Sequence, residues 1–411
     1  MDMSKLVSRD RRGVTIAAGS IAGLLALSGC GAAAGAFGGP KDSVAVITVT
    51  PDGTGTGSKA PAHSPIVVAV KDGHLTDVSV VGPKGQLPGS RDVNETVWTS
   101  NQKSLEFGAI YQVKAQAVDD NGLPVELSRT VTTVKPKDTI WADFDYFQKD
   151  ETVGVGMIVR IVFDQPVKNR KAVEQRLILK SSKPVVGAWG WDTNNQAVDF
   201  RPKTFWPAKT KVKVSANLHG VEAKKGVFFD KDLKTAFKTG DSIVSTVDSA
   251  SHTMTVVKNG KKIRSIPVTS GKSGFETRSG IKPIMSKEGT VIMDAATGGT
   301  SRNSSEYYRL TVHYSMRMTP SGEFLHAAPW SQGSQCYANV SHGCVGMSTS
   351  NAIWMYDMTR IGDVVIVKNT GRTQNLGNGI TDWNITWKNW LKRSKAGVQN
   401  VGPAAATPAT V

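Results

Sequence analysis

Ser341-His342-Gly343-Cys344-Val345-Gly346-Met347-Ser348 is the stretch on which the reading of this chain turns, together with Phe324-Leu325-His326-Ala327-Ala328-Pro329-Trp330 just before it. Glycines on both sides of Cys344 leave room for a substrate to approach the sulfur and nearby backbone N–H groups. The attacking species is a thiolate, so an imidazole has to lower the thiol's pKa or take its proton. Two histidines qualify. His342 is two residues from Cys344, on the same face if the run is a strand. His326 sits on a separate strand-like run and meets Cys344 only through the fold, as is usual for a Cys/His pair. The same residues admit a zinc site built from His326, Cys336, His342 and Cys344, although no paired Cys-x-x-Cys spacing supports it. A cysteine among glycines can also be just a small buried residue.

The surroundings of this stretch read as β structure. Residues 253–257 and 262–268 flank Asn259-Gly260, a hairpin signal. After the motif, residues 349–360 have helical character, with Ser348 or Ser350 as N-cap and Gly362 beyond the end, and residues 364–367 form a closing strand. Residues 242–369 are therefore expected to form a β-rich domain with one short helix. Upstream, short apolar runs at 44–50, 66–70, 78–81 and 113–118, with a turn at Asp120-Asn121-Gly122, suit a small sandwich over residues 42–136. Residues 137–241 repeat the texture. Residues 153–163 read as one strand, and 211–214 alternate polar and apolar. Trp189, Trp191, Phe200 and Trp206 read as core aromatics, with a sugar-binding platform as the alternative. The fold class is mainly β, two immunoglobulin-like sandwiches followed by the β-rich domain. Residues 370–396 add a C-terminal subdomain, in which Trp383, Trp387 and Trp390 would align on one helical face and dock on the preceding domain. Residues 397–411, rich in Ala, Pro and Thr, read as a disordered tail.

The 411 residues are 39% hydrophobic and 20% charged, an ordinary globular balance with room for several domains. A formal net charge of +16 fits nucleic acid, anionic lipid or anionic wall polymer as partners. The N-terminus decides among them. Lys5, Arg9, Arg11 and Arg12 precede an uncharged stretch at 14–27 that is short for a membrane span. This is the pattern of an export signal over residues 1–30, which speaks against nucleic acid. Leu27-Ser28-Gly29-Cys30 resembles a bacterial lipobox, whose cysteine carries lipid and becomes the mature N-terminus; a plain signal peptide containing Cys30 is the alternative. Lipid on Cys30 would hold the protein to the membrane, at the outer face of the cytoplasmic membrane in the periplasm or cell-wall space. Residues 31–41, rich in Ala and Gly, are then a flexible tether. Cys336 and Cys344 remain, and in an oxidising compartment they could bridge or stay apart. A bridge would silence Cys344, so free thiols are expected.

A histidine on a short strand, then fifteen positions on Ser-His-Gly-Cys, resembles the L,D-transpeptidase (YkuD-type) catalytic domain. With the lipobox, two sandwich modules and Trp-containing C-terminal segment, the chain looks like the mycobacterial-type enzymes of that family. The resemblance implies Cys344 as nucleophile and His326 as general base. The base is oriented by the backbone carbonyl of the next residue, commonly Ser in the family and Ala327 here. It implies that His342, Ser341 and Gly343 shape the site and that Tyr308 contacts substrate or oxyanion. Met293, Ser321, Gly322 and Trp330 would line the pocket. Gly346 stands where relatives often carry Asn or Arg. The implied reaction joins peptidoglycan stem peptides through a thioester and needs no cofactor or metal. Carbapenem β-lactams are implied inhibitors. An L,D-carboxypeptidase and a non-catalytic wall-binding scaffold remain alternatives. The Gly/Ser/Thr-rich stretch at 297–307 is either a lid over the pocket or a plain surface loop.

Overall fold

A computed structural model of the chain describes residues 42–51 and 59–403. The export signal, Cys30, the tether and the last residues of the tail lie outside the described residues. No described helix is long and apolar enough to cross a membrane.

The first module is a two-sheet sandwich. One sheet runs in the order Val46–Thr50, Val67–Lys71, Val97–Ser100, Gly89–Arg91, and the other in the order Gly85–Gln86, His74–Gly82, Ile110–Val118, Pro124–Thr132. Alternate residues of Ile110–Val118 are buried, so Tyr111, Val113, Ala115 and Ala117 meet Ile47, Val68 and Trp98 in the core. Asp119 ties the following turn by accepting the N–H of Asn121 and of Leu123.

The second module carries the expected aromatics in its core. Trp189, Phe200 and Trp206 are fully buried and pack edge-on or tilted with ring centroids 5.3 and 5.9 Å apart. Their burial favours the core reading over a sugar platform. Residues 153–163 do not form one strand. They split into Glu151–Val153 and Val159–Phe163, because Gly154 and Gly156 turn toward the β-rich domain and donate to the carbonyls of Ile361 and Gly362 at 2.7 and 2.8 Å. A Cβ on Gly154 would stand 2.0 Å from the Asp363 backbone nitrogen, so only glycine permits this approach.

The β-rich domain faces two sheets across a core of Val247, Met254, Ile266, Met316, Leu325, Val345, Met355 and Val365. One has the order Lys261–Pro267, Thr253–Lys258, Ile243–Asp248, Val364–Lys368, Gly280–Pro283; the other has Ser286–Asp294, Arg309–Arg317, Phe324–Ala327, Val345–Met347. The helix spans Thr349–Met358, and the Ser348 hydroxyl caps it by accepting from the Asn351 N–H.

Two expectations for the C-terminus are corrected. The three tryptophans do not share one helical face, because the helix Trp387–Leu391 is too short and Trp383 lies in the separate turn Asp382–Asn384. The indoles instead surround the Arg201 guanidinium at 5.1–5.4 Å, a cation–π cage on the second sandwich. Trp383 and Trp390 also donate to the carbonyls of Gly156 and Ala188. The segment thus docks on the sandwich as well as on the domain before it. The tail does not begin at residue 397: Gln399–Val401 forms a strand antiparallel to Val185–Trp191 and extends its sheet.

Candidate active site

Parallel pairing brings the two motif runs together. Leu325 lies opposite Val345, His326 opposite Gly346 and Ala327 opposite Met347, which sets Cys344 at the entrance of one strand beside His326 on the next. Thr269 grips the motif from the other side. It exchanges backbone hydrogen bonds with Gly346 at 2.9 and 3.0 Å, and its hydroxyl accepts from the Val340 N–H.

Cys344 and His326 line one cavity of about 210 Å³ with Met293, Tyr308, Trp330 and Gly346. The thiol is buried and points at the Gly322 carbonyl, 3.4 Å away. Burial pushes its pKa up to about 12, opposed by the Phe324 N–H facing the sulfur. The resting group is therefore a thiol that needs a base. The His326 ring is 5% exposed as a residue, and its Nδ1–H donates to the Ala327 carbonyl at 2.8 Å. That bond leaves Nε2 with its lone pair free to take a proton. Burial lowers the pKa of His326 and the Ala327 carbonyl raises it, with burial the larger effect, so the imidazole stays neutral. The orienting carbonyl is present although the side chain is alanine.

His342 is not placed as a base. Ser341 bridges to Gly271, and residues 342 and 343 then bend with Gly343 at φ +120°, a conformation that favours glycine, so the strand geometry expected for His342 does not form. The ring of His342 lies between Phe275 and Tyr308, centroids 4.4 and 4.8 Å away, with Nε2 on the Glu306 carboxylate at 2.7 Å. Glu306 also binds Lys272 at 2.6 Å, which ties the loop at 297–307 against the site. The Ser341 hydroxyl donates to the Cys344 carbonyl at 2.6 Å and accepts from the Gly343 N–H at 3.1 Å. That engages the Gly343 N–H, while Tyr308 lines the cavity beside Cys344. Burial and the nearby sulfur push Tyr308 up to about 12, keeping it a neutral donor.

Ser321 and Gly322 line a second cleft of about 480 Å³ that shares Met293, Tyr308 and His342 with the first. Ser321 accepts from Asn378 at 2.9 Å. A Cβ on Gly346 would stand 2.8 Å from the Ala328 Cβ and 3.2 Å from the Thr269 Cγ2, so a side chain has no room there. Cys336 is exposed and unbridged, and Cys344 is also free. The four candidate zinc ligands do not converge: among the described residues no three His, Cys, Asp or Glu side chains form a metal cage. Thr269, Leu310, Val312 and Val340 also line the thiol cavity, and Glu306 anchors its loop. None of these carries a local sequence signal, since each acts only through the fold.

Residues 242–367 match the L,D-transpeptidase catalytic domain, and one bacterial Ig domain model spans residues 57–222, across both sandwiches. L,D-transpeptidase 2 of Mycobacterium tuberculosis is 35% identical over 328 residues, covering 80% of this chain and 80% of that protein. L,D-transpeptidase 1 of the same species is 40% identical over 215 residues, covering 52% and 80%. A solved L,D-transpeptidase from Mycobacterium smegmatis superimposes with a TM-score of 0.46 at 35% identity, covering 56% of this chain and 99% of its own. The fold is that of an Ig-bearing, YkuD-type protein, and the chain belongs to the L,D-transpeptidase family.

Proposed function

We propose that the protein forms 3→3 cross-links between diaminopimelate residues of peptidoglycan stems through a thioester on Cys344. The observation that carries this reading is the parallel register that sets His326, with Nδ1 fixed by Ala327, beside the buried Cys344 thiol in one cavity. His326 Nε2 takes the thiol proton as sulfur attacks the carbonyl of the third residue of a donor tetrapeptide. The Cys344 N–H and Tyr308 hydroxyl hold the oxyanion. The imidazolium then protonates the departing D-alanine amine, leaving the thioester. The side-chain amine of an acceptor diaminopimelate displaces the thiol and completes the cross-link. A carbapenem would acylate the same sulfur by opening its β-lactam ring. Export and lipid on Cys30 would place the enzyme at the outer face of the cytoplasmic membrane, where a positive surface suits an anionic wall.

The test is product analysis with a disaccharide-tetrapeptide and intact mass after meropenem. A cross-linked dimer and a single adduct are expected, both lost in Cys344→Ala. Tripeptide without dimer would assign an L,D-carboxypeptidase instead. An undiminished adduct on Cys344→Ala would refute the nucleophile.

A further inference from the structure

We propose that Arg278, Glu323 and Lys282 form a buried charge cluster behind Cys344 that sets the reactivity of its thiol, with Lys282 and Glu323 as positioning residues of opposite effect. The cluster lies where the two sheets of the catalytic domain meet. Lys282 comes from Gly280–Pro283 and Glu323 from the turn before Phe324–Ala327. Their side chains are 0% and 4% exposed. The Lys282 ammonium donates to Glu323 Oε2 at 2.6 Å and to the Arg278 carbonyl at 2.7 Å. Arg278 donates to Glu323 Oε1 from its backbone N–H and from Nη1, each at 3.0 Å. The Glu323 carboxyl thus accepts three bonds, two of them from cationic side chains, the strong charge-assisted kind.

Two features point to function. Buried ion triads are seldom more stable than apolar packing of the same volume, so stability alone gives little reason for three charged groups here. Their place is also specific. Glu323 sits between Gly322, whose carbonyl faces the thiol, and Phe324, whose N–H faces it. Its Oε1 lies 4.0 Å from where a Cβ on Gly343 would stand. Two cationic side chains against one carboxylate leave the cluster net positive behind the sulfur; burial lowers the Lys282 pKa, and Glu323 opposes that fall.

The other groups facing the thiol come from every element around it. Arg317 stands on the neighbouring strand and is held by Glu288. Tyr308 and the pair of His342 with Glu306 stand on the loop side, and His326 on the next strand. Lys282 and Arg317 favour the thiolate and Glu323 opposes it. As His326 withdraws the proton, the net positive cluster stabilises the charge that develops on sulfur and then on the oxyanion.

This rests on Cys344 as nucleophile, and the test does not require substrate turnover. Full-length protein is alkylated with iodoacetamide at fixed pH, and modification is read on the Cys344 peptide by mass spectrometry. Circular dichroism confirms folding. Lys282→Met is expected to slow alkylation about tenfold and Glu323→Gln to speed it about tenfold, the effect of about one pKa unit in opposite directions. A structural role would move both variants the same way or neither, and either result overturns the proposal. If Lys282→Met does not fold, Glu323→Gln decides: alkylation no faster than wild type overturns it. Loss of transpeptidation with the opposed alkylation shifts intact would fault the proposed reaction, not the cluster.

Discussion

The rings of His326 and Trp330 stack with centroids 5.9 Å apart and planes 25° from parallel. The imidazole is thus fixed in its plane by the Ala327 carbonyl and over its face by an indole that is itself 54% exposed. Trp330→Ala is expected to slow carbapenem acylation about tenfold, because small misorientation of a base is costly. The melting temperature should change little, since little buried surface is lost. Wild-type acylation kinetics in stopped flow would contradict an orienting role for the stack.

The pH profile of acylation follows from the two reacting groups. His326 is held neutral by burial, so its pKa lies below the usual 6.5 and the base form persists as pH falls. The rate should stay level from pH 8 to 6.5 and decline only in more acid solution. A free thiol would add a rise near pH 8.5; with Cys344 pushed up to about 12, no such inflection is expected. A midpoint above 6.5 in the rate profile would count against this assignment.

Tyr308 stays a neutral donor beside the sulfur. Removing its hydroxyl in Tyr308→Phe leaves one fewer donor for the oxyanion and is expected to cost about 10²–10³ in acylation rate. Retained turnover would move the oxyanion contact to backbone groups alone.

Gly346 has no space for a side chain between Ala328 and Thr269. Gly346→Asn should destabilise the fold by about 1–3 kcal/mol through overpacking and narrow the thiol cavity. Because the nearest atom is the Ala328 methyl, Ala328→Gly in the same chain should recover part of the loss. Additive losses in thermal unfolding would disprove the clash.

Asp363 is buried where the catalytic domain meets the second sandwich, and burial pushes its carboxyl up to about 7. Folding therefore favours the protonated form. The contribution to stability is full below the unfolded pKa of about 3.9 and is lost as pH rises through about 7. Asp363→Asn removes that loss and should stabilise the protein by on the order of 2 kcal/mol at pH 8 relative to wild type, with a smaller difference at pH 5. Denaturant unfolding at the two pH values measures it, and an equal difference at both would reject the assignment.

Much of this architecture is written in local pattern. The Asn259-Gly260 hairpin, the Ser348 cap and the strand run at 113–118 follow from turn chemistry and local composition alone. His326 and Cys344 stand out in the sequence through the resemblance of their motif and spacing to one family, and the fold brings both to one cavity. What escaped the sequence depends on distant partners. Gly154 reads as an ordinary residue of a strand until the turn at 361–363 presses against it. Glu323, Lys282 and Glu306 look like surface charges, because nothing within a few residues of any of them reveals its partner. Gln399–Val401 is polar and short, and only the open edge beside Val185 gives it a reason to be a strand.

That last strand changes how the enzyme is mounted. The chain leaves the second sandwich to build the catalytic domain and then returns to finish a sheet of the same sandwich, so the catalytic domain is in effect a long insertion suspended at two points. A domain hung from a single linker can swing; one clamped at entry and exit keeps a set standoff and attitude. The second sandwich thus grips the catalytic domain at both of its ends, and the attitude of the cavity around Cys344 is set by that sandwich rather than by the freedom of one linker.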